Sequence, residues 1–370
     1  MSNRPITVTQ PFLPPLEEFT PYLQEIWQTH RLTNAGPFHR RLEIVLAEYL
    51  GVEHIALLAN GTLALMTALK ALGLSGEIIT TPFSFVATTH ALWWSGITPV
   101  FADIDPNSFN LDPKAVEAAI TSRTTAILPV HIYGRPCDVG AIQRIADTHG
   151  LKVIYDAAHA FAVRDSGGSI TRHGDLSVLS FHATKVFTTF EGGAIVCPDA
   201  RTKQHVDLLK NFGVADEVTV LATGINGKMN ELQAAFGLLQ LQHVDAAIRR
   251  RQEIDTFYRR ALENVPGIDC PPLPPDIVWN HAYFPILIQP DYPLSRDGVY
   301  HRLQELGVHA RRYFYPLISE FPMYQDLSSA APANLPIAHD VAKRVLCLPI
   351  YPTLELEDIV EIVDVIAEIG

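Results

Sequence analysis

Short, almost wholly apolar segments alternate with helical stretches between residues 53 and 200. Strands that are buried on both faces of a parallel sheet lack the alternation of polar and apolar residues, so these segments are predicted to be such strands. They are residues 54–59, 77–80, 98–103, 125–130, 152–156, 176–181 and 194–197. Helical patterns lie between several of them, at residues 62–72, 86–95, 113–120 and 139–149. The alternation predicts an α/β sheet layered between helices.

A different pattern follows this region and predicts a second, smaller unit. Residues 229–262 form a long helical stretch, with a break expected near Val244, and residues 271–275 form a stiff, proline-rich spacer. Beyond the spacer, strands are predicted at 283–288 and 308–313, and helices at 296–306, 337–345 and 357–369. We therefore predict an N-terminal arm (1–15), a large α/β domain (16–245) and a small C-terminal α+β domain (246–370).

Composition narrows the class of protein. The chain has 370 residues, a hydrophobic content of 48% and a formal net charge of −12, which favour a folded core and argue against nucleic acid as the main partner. No apolar run is long enough to span a membrane, and the N-terminus lacks the apolar core of a signal peptide, so a cytoplasmic protein is expected. The cysteines are scattered and favour free thiols over two disulfides, and no cysteine–histidine spacing indicates a metal site.

Two charged residues near strand ends carry the main chemical hypothesis. Lys185 follows the predicted strand 176–181 in an unusually apolar setting, and Asp156 ends the predicted strand 152–156. A pyridoxal phosphate (PLP) site needs a lysine that forms a Schiff base with the aldehyde and a carboxylate that pairs with the pyridinium nitrogen. Apolar surroundings lower the pKa of a lysine and make the neutral amine available. The alternatives are a solvated surface lysine and an aspartate that caps the turn after its strand.

Further polar residues follow the carboxyl ends of other predicted strands, where open α/β sheets bind their ligands. Asn60-Gly61-Thr62 opens a predicted helix, whose unpaired N–H groups suit a phosphate, and an ordinary helix cap is the alternative. Ser180 offers a hydroxyl to the same phosphate. The sequence therefore predicts an anion site beside Lys185 and Asp156.

Three other residues have a functional and a structural interpretation. Phe85 offers a flat face for a pyridine ring or packs in the core. His159 contacts the cofactor or is a structural histidine, and Asn226 lies in a glycine-containing loop where turn formation is the alternative role.

These motifs occur in the same order and spacing in a known family, over nearly the whole chain. The sequence resembles the DegT/DnrJ/EryC1/StrS sugar aminotransferases, PLP enzymes of the aspartate aminotransferase fold (fold type I). The matching segments are residues 32–37, 60–65, 129–134, 156–159, 180–185, 191–193 and 226–231. The resemblance implies a mainly parallel seven-stranded sheet domain and a smaller C-terminal α+β domain.

The resemblance also implies roles at the reacting end of the cofactor. Lys185 is implied to be the Schiff-base lysine, and Asp156 the partner of the pyridinium nitrogen. His159, where many relatives have glutamine, is implied to lie near the ring's hydroxyl side. Many relatives have glycine where this chain has Phe190, a departure that is expected to narrow the pocket.

Other implied contacts surround the cofactor's phosphate and ring. Gly61, Thr62 and Ser180 are implied to hold the phosphate, and Phe85 to stack on the ring. Asn226 is implied to reach the phosphate that the neighbouring subunit binds, so a homodimer with shared sites is the expected active unit.

The substrates follow from the branch of the family. Members with histidine in place of the lysine run a dehydration, so Lys185 indicates an aminotransferase with L-glutamate as donor and ping-pong kinetics. Residues 8–15 and 182–191 resemble the VioA-type subgroup, which aminates C4 of dTDP-4-keto-6-deoxyglucose for deoxyaminosugar biosynthesis, as in lipopolysaccharide O-antigen. Open alternatives are a C3-aminating or UDP-sugar enzyme of the family, a PLP-dependent dehydratase or lyase, and a non-enzymatic protein that kept the fold.

The nucleotide sugar's diphosphate requires cations. Arg311 and Arg312 are candidate phosphate contacts, with Tyr313 for the sugar or base, and Lys228 beside Asn226 is another candidate. The alternative for Arg311 and Arg312 is an edge strand with solvated side chains.

Overall fold

The computed structural model describes residues 5–273 and 275–369. Its strands are β1 (Ile6–Thr7), β2 (His54–Leu58), β3 (Glu77–Thr80), β4 (Thr98–Phe101), β5 (Thr124–Leu128), β6 (Lys152–Asp156), β7 (Arg164–Asp165), β8 (Gly168–Ser169), β9 (Leu176–Ser180), β10 (Gly193–Cys197), β11 (Ile268–Asp269), β12 (Phe284–Ile288), β13 (Val308–His309) and β14 (Val345–Leu348). Its helices are α1 (Leu16–Thr29), α2 (Pro37–Leu50), α3 (Gly61–Ala71), α4 (Ala87–Trp94), α5 (Pro113–Ala118), α6 (Val139–His149), α7 (Ala200–Leu209), α8 (Glu231–Leu262), α9 (Arg296–Glu305), α10 (Pro336–Arg344) and α11 (Leu356–Ala367).

The central seven-stranded sheet confirms the predicted α/β fold. Its strand order is β2-β10-β9-β6-β5-β3-β4. Strand β10 runs antiparallel to both its neighbours, and the other pairings are parallel. All seven predicted strands are present, because each is an apolar segment with little exposed surface; Ile79, Ile127 and Ile195, for example, are fully buried. Within the described ranges, no helix combines the length and the apolar character that a membrane crossing needs.

Helix α8 shows that the expected break near Val244 was wrong. The helix continues from Glu231 to Leu262, and a capping box joins Asn230 to Gln233 at its start. Its charged second half keeps a buried stripe that includes Ile254 and Tyr258, so the same face continues into the core. The polar residues therefore mark an exposed face of one helix and not a break.

The C-terminal unit is built around a three-stranded sheet in the order β11-β12-β14. Two predictions here need correction. The strand expected over 308–313 contains only Val308 and His309, with an isolated bridge from Arg311 to Cys347 beyond it. Val345, expected in a helix, begins β14, because its segment pairs with β12 and is fully buried there. The spacer's Pro274 lies outside the described residues.

The two units share an interface that includes buried apolar side chains. On α8, Val244 packs in the core of the large unit, whereas Ile254 packs in the core of the C-terminal unit. The predicted domain boundary at residues 245/246 lies between them and stays a prediction. A further apolar cluster joins Phe83 of the large unit to Phe314 and Val345 of the C-terminal unit. This shared cluster lies next to the cavity described below.

Candidate active site

Three polar segments meet at one edge of the central sheet. Strands β2, β6 and β9 end there: Asp156 is the last residue of β6, Ser180 is the last residue of β9, and Gly61 lies shortly after β2. Strand β10 enters at the same edge, where Gly193 pairs with Ser180. A Cβ atom on Gly193 would lie 2.6 Å from the carbonyl carbon of Asn60, so glycine allows the two turns to approach. Parallel topology thus brings together residues that are far apart in sequence.

A cavity of about 570 Å³ opens at this edge. Eight of the predicted site residues line it: Gly61, Thr62, Phe85, Asp156, His159, Ser180, Lys185 and Tyr313. We call the residues from the large unit the sheet side of the cavity. Tyr283, Tyr313 and Phe314 form its C-terminal side. The volume is in the range of small-molecule sites in proteins.

Asp156 is a buried carboxylate with two donors. Its Oδ2 accepts from the Thr88 hydroxyl at 2.9 Å, and its Oδ1 accepts from the Ala158 amide at 3.1 Å. Burial raises the pKa of Asp156, while these two hydrogen bonds and the charge of Lys185 lower it. A cation in the cavity would offset the desolvation of the carboxylate. This environment fits a partner for a protonated pyridine nitrogen.

Lys185 has the amine that the predicted chemistry requires. The side chain follows β9 in a turn closed by the Lys185 amide, which donates to the His182 carbonyl at 2.9 Å. Burial lowers the pKa of Lys185 to about 8, against the opposing charge of Asp156. Its Nζ lies 3.4 Å from the Tyr283 hydroxyl. A substantial fraction of the amine is therefore neutral near physiological pH and able to react with an aldehyde.

His159 is held as a neutral ring. Its Nδ1 accepts from the Tyr133 amide at 3.2 Å, which assigns the ring proton to Nε2. Burial and the charge of Lys185 lower the pKa of His159 well below its usual value. The ring stacks on Phe314 with an interplanar angle of 4°. His159 therefore presents a fixed neutral donor.

The turn before α3 suits a phosphate group. The Asn60 side chain accepts from the Leu63 amide at 2.8 Å, which leaves the first amides of the helix, those of Gly61 and Thr62, without an intrahelical acceptor. A Cβ atom on Gly61 would lie 2.9 Å from that of Ser180, so the serine is packed directly against this turn. A helix N-terminus beside a hydroxyl is an anion site of known type.

Phe85 and Phe190 differ in their relation to the cavity. The Phe85 ring lines it and is 60% exposed, which leaves a face available for stacking. Phe190 is not among the lining residues; its ring stacks on Phe236 at 4.1 Å and lies near Phe19. The expectation that Phe190 narrows the pocket was therefore wrong, because its ring packs against α1 and α8 instead.

The remaining predicted residues do not line this cavity. Lys228 donates to the Asn226 side chain at 2.8 Å, and both follow a loop after α7. Arg312 pairs with Asp297 at 2.9 Å, and the main chain of Arg311 pairs with Cys347. The roles assigned to Asn226, Lys228, Arg311 and Arg312 therefore stay predictions.

Sequence reasoning missed several residues that the structure places at the site. Thr88 follows Phe85 by three residues, a helical spacing that places a polar side chain on the same face and that was a usable signal. Tyr283 and Phe314 come from the C-terminal unit, about 100 residues or more from Lys185 along the chain. They carry no local motif, since only tertiary packing brings them to the cavity.

Comparison with known proteins agrees with this geometry. The model of the DegT/DnrJ/EryC1/StrS aminotransferase family matches residues 16–367. The chain belongs to this family. It is 53% identical to a dTDP-4-amino-4,6-dideoxy-D-glucose transaminase of Escherichia coli, over 98% of each chain. It is 54% identical to the transaminase of the same name from Shigella dysenteriae, over 99% of this chain and 100% of that one.

Solved structures of relatives have the same fold. The structure of DesI in the presence of its TDP-sugar product superposes with a TM-score of 0.94 and is 37% identical, covering 99% of this chain and 93% of that chain. The structure of S. venezuelae DesV in complex with a ketimine intermediate has a TM-score of 0.87 and 30% identity, covering 95% and 94%. These matches confirm the predicted PLP-dependent transferase fold, fold type I.

Proposed function

We propose that this protein is a PLP-dependent aminotransferase that moves the amino group of L-glutamate to C4 of dTDP-4-keto-6-deoxyglucose. The observation that carries the proposal is the pair formed by the half-buried Lys185 amine and the buried Asp156 carboxylate in one cavity. More than 50% identity over the whole chain to dTDP-4-amino-4,6-dideoxy-D-glucose transaminases supports the choice of nucleotide and carbon. The product would enter the biosynthesis of a deoxyaminosugar in the cytoplasm.

Bound PLP supplies an electron-accepting ring that stabilises negative charge developed beside it. Lys185 would hold its aldehyde, because burial keeps a neutral fraction of the amine available. Nζ of Lys185 would also be the group placed to accept and return a proton at the reacting carbon of the substrate. Asp156 would pair with the protonated ring nitrogen, and Thr88 favours the ionised and oriented form of Asp156 by donating to Oδ2.

The other lining residues orient the cofactor. The amides at Gly61 and Thr62 and the Ser180 hydroxyl would bind its phosphate, and Phe85 would lie against one face of its ring. His159, with its proton on Nε2, would donate to the oxygen on the ring. These contacts would fix the ring relative to Lys185, which is the main requirement for transfer at a defined atom.

The nucleotide sugar needs positive charge that the sheet side of the cavity does not offer beyond Lys185. The chain has a net charge of −12, so binding of a diphosphate must rest on local cations. Lys228, Arg311 and Arg312 are proposed as those cations, and Tyr313, which lines the cavity, as a contact for the sugar. Lys228 and Asn226 would act across a subunit interface.

A homodimer with shared sites is part of the proposal. The loop before Asn226 exposes several apolar side chains, and α1 and α4 each expose a tryptophan; the most exposed of these residues are Trp27, Trp94, Val218, Val220 and Leu221. Exposed apolar side chains that form a contiguous patch are typical of surfaces that associate with another protein. A second copy of the chain would cover it and bring Asn226 to the neighbouring cavity.

An assay of purified protein with PLP, L-glutamate and dTDP-4-keto-6-deoxyglucose tests the reaction. We expect a 4-amino product by mass and NMR, together with 2-oxoglutarate, and weaker turnover of the 3-keto isomer and of UDP-linked analogues. A dehydrated sugar formed without consumption of glutamate would favour the dehydratase alternative. No reaction with any keto sugar would contradict the proposal.

Mixing two inactive variants tests the shared sites. Lys185→Ala and Asn226→Ala are each expected to lose activity at limiting PLP. If sites are shared, the heterodimer has one intact site, and a statistical mixture recovers about a quarter of wild-type activity. Activity equal to the mean of the two separate variants would contradict shared sites.

A further inference from the structure

Tyr283 contacts the amine of Lys185 from the other unit of the protein. Its hydroxyl lies 3.4 Å from Nζ, although 98 residues separate the two along the chain. Tyr283 immediately precedes β12 of the C-terminal sheet, whereas Lys185 follows β9 of the central sheet. The contact joins Lys185 to Tyr283, which lies outside the family motifs described above.

The main chain before Tyr283 is anchored to the sheet side of the cavity. The buried Asn280 side chain donates to the carbonyls of His159, at 2.8 Å, and Phe161, at 2.9 Å. The buried Arg251 guanidinium donates to the carbonyl of Ile350 at 2.7 Å and lies 3.5 Å from that of Ala282. These hydrogen bonds fix the backbone that carries Tyr283.

The ring of Tyr283 is held in addition by three aromatic neighbours. Its centroid lies 4.8 Å from that of His159, 5.5 Å from that of Tyr133 and 5.9 Å from that of Tyr313. The last contact is edge-to-face, with an interplanar angle of 79°. A ring enclosed on these sides has one available orientation for its hydroxyl, so the position of the hydroxyl does not depend on Lys185.

A phenol suits an amine that changes its protonation state. Burial raises the pKa of Tyr283, so its hydroxyl keeps its proton near neutral pH. Burial lowers the pKa of Lys185 to about 8, so both the ammonium and the neutral amine are populated there. The hydroxyl oxygen accepts from the ammonium, and the hydroxyl hydrogen donates to the neutral amine. Tyr283 is thus a hydrogen-bond partner in either state.

Tyr283 also lines a second, smaller cavity. The volume of this cavity is about 20 Å³, and Thr9, Thr184 and Tyr313 line it in part. A volume of this size accommodates about one water molecule when polar groups surround it. Such a water would offer the hydroxyl hydrogen a partner when Nζ is protonated.

We propose that Tyr283 is a positioning residue that holds the ε-amine of Lys185 in line with the cofactor during each half-reaction, whether or not the amine carries a proton. This inference rests on the proposed aminotransferase function. It assigns a task to the C-terminal unit: Tyr283 restricts the free end of Lys185 after the substrate has displaced it. Without the Tyr283 hydroxyl, Nζ of Lys185 is still able to react, but its position is no longer fixed.

Tyr283→Phe tests the proposal because it removes the hydroxyl and keeps the ring. Misplacing a reacting group by about 1 Å lowers rates by up to 10²-fold, so we expect kcat of the glutamate half-reaction to fall roughly 10- to 100-fold. The KM for glutamate should change less than about twofold, because Tyr283 acts on the reacting step and not on binding. The same fall should appear in the half-reaction with the keto sugar.

Capture of PLP by the full-length, cofactor-free protein gives a readout that does not depend on turnover. Its rate follows the neutral fraction of Lys185, so it rises with pH through the pKa of that amine. Hydrogen bonds to charged groups are the stronger ones, so the loss of Oη destabilises the ammonium and moves the midpoint about half a unit lower. The titratable groups that line the same cavity are Asp156, His159, His182, Glu191, Tyr283 and Tyr313.

A matched control removes a buried hydroxyl elsewhere in the C-terminal unit. Tyr292 donates to the Ile366 carbonyl at 2.6 Å, and Tyr292→Phe is expected to lower the thermal midpoint without changing kcat or the pH midpoint of capture. A structural defect would slow capture and turnover together, whereas loss of positioning lowers kcat and moves the capture midpoint to lower pH.

Each outcome decides the proposal. Unchanged kcat and an unchanged capture midpoint in Tyr283→Phe would overturn it, even if the wild type is an active aminotransferase. If the variant does not fold, a crystal structure of the wild type in its cofactor-free form decides, since Nζ and Oη beyond hydrogen-bonding distance would also overturn it. If the wild type captures no PLP, the result contradicts the proposed function instead. Failure of the Tyr283 proposal can therefore be distinguished from failure of the proposed function.

Discussion

The sheet side and the C-terminal side of the cavity reach the same site by different routes. On the sheet side, Asp156, Ser180 and Gly61 stand at the ends of buried strands, so topology alone brings them together. On the C-terminal side, Tyr283 and Phe314 arrive through packing between two units. We therefore propose that the sheet side supplies the charged groups that react and that the C-terminal side restricts their geometry.

Removal of the Lys185 amine should have the largest effect. We expect Lys185→Ala to lower turnover by at least about 10⁴-fold, because both the covalent attachment and the proton transfer are lost. The protein should remain folded and elute like the wild type in size-exclusion chromatography. Lys70→Ala, at an exposed helix end, is the control and should be fully active. Substantial activity in Lys185→Ala would contradict the proposal that the reacting amine is Lys185, on the sheet side.

Neutralising Asp156 should come next. Asp156→Asn keeps the size of the side chain but cannot hold the ring nitrogen protonated, so we expect kcat to fall about 10²- to 10³-fold. Steady-state kinetics at saturating PLP measures it. Asp138→Asn is the control: Asp138 caps α6, and asparagine caps helices equally well. Equal activity of Asp156→Asn and the wild type would mean that the carboxylate has only a capping role.

Thr88→Val separates the orientation of Asp156 from its charge. Loss of the donor to Oδ2 should weaken PLP binding about tenfold, as expected for a hydrogen bond to a charged group. Since this hydrogen bond lowers the pKa of Asp156, its loss raises that pKa further. The decline of PLP affinity on acidification should therefore begin at a higher pH than in the wild type.

The same helix offers a matched control for Thr88→Val. Thr89 is also buried, and its hydroxyl has no hydrogen-bond partner among the described residues. Thr89→Val should therefore leave both the affinity for PLP and its pH dependence unchanged. The same loss of affinity in the two variants would attribute the effect to helix packing and not to Asp156.

A small effect is expected for Arg311, which is proposed as a contact for the diphosphate. Arg311→Met should raise the KM for the nucleotide sugar about three- to tenfold through loss of a phosphate contact, with the glutamate half-reaction unchanged. Arg302→Met, which removes an exposed arginine of α9, is the control. An unchanged KM in Arg311→Met would mean that other cations, and not Arg311, bind the diphosphate.

Most of the features that the sequence predicted correctly lie in the large unit, on the sheet side of the cavity. The seven strands and the positions of Asp156 and Lys185 at the sheet edge were predictable, because an apolar segment followed by polar residues is a local pattern typical of strand ends in a parallel sheet. Thr88 was within reach of helical spacing. The continuity of α8 was not predicted, since its exposed polar face resembled a break while the buried stripe continued beneath it.

Tyr283 and Phe314 of the C-terminal side could not be predicted, because their contacts are tertiary. Nothing in the segment around Tyr283 indicates that its hydroxyl meets Lys185, a contact that requires Asn280 to dock on the loop at His159. Phe190 gave a misleading expectation for a related reason: a change of residue next to a motif predicts a change in the pocket only if the side chain points there, and this ring packs on Phe236.

The covalent role of Lys185 can be measured by borohydride treatment of the PLP-loaded protein, followed by peptide mapping by mass spectrometry. We expect one pyridoxyl label per chain, on Lys185, and none after addition of excess glutamate has converted the cofactor. A label on another lysine, or no label on a protein that aminates its sugar, would contradict it.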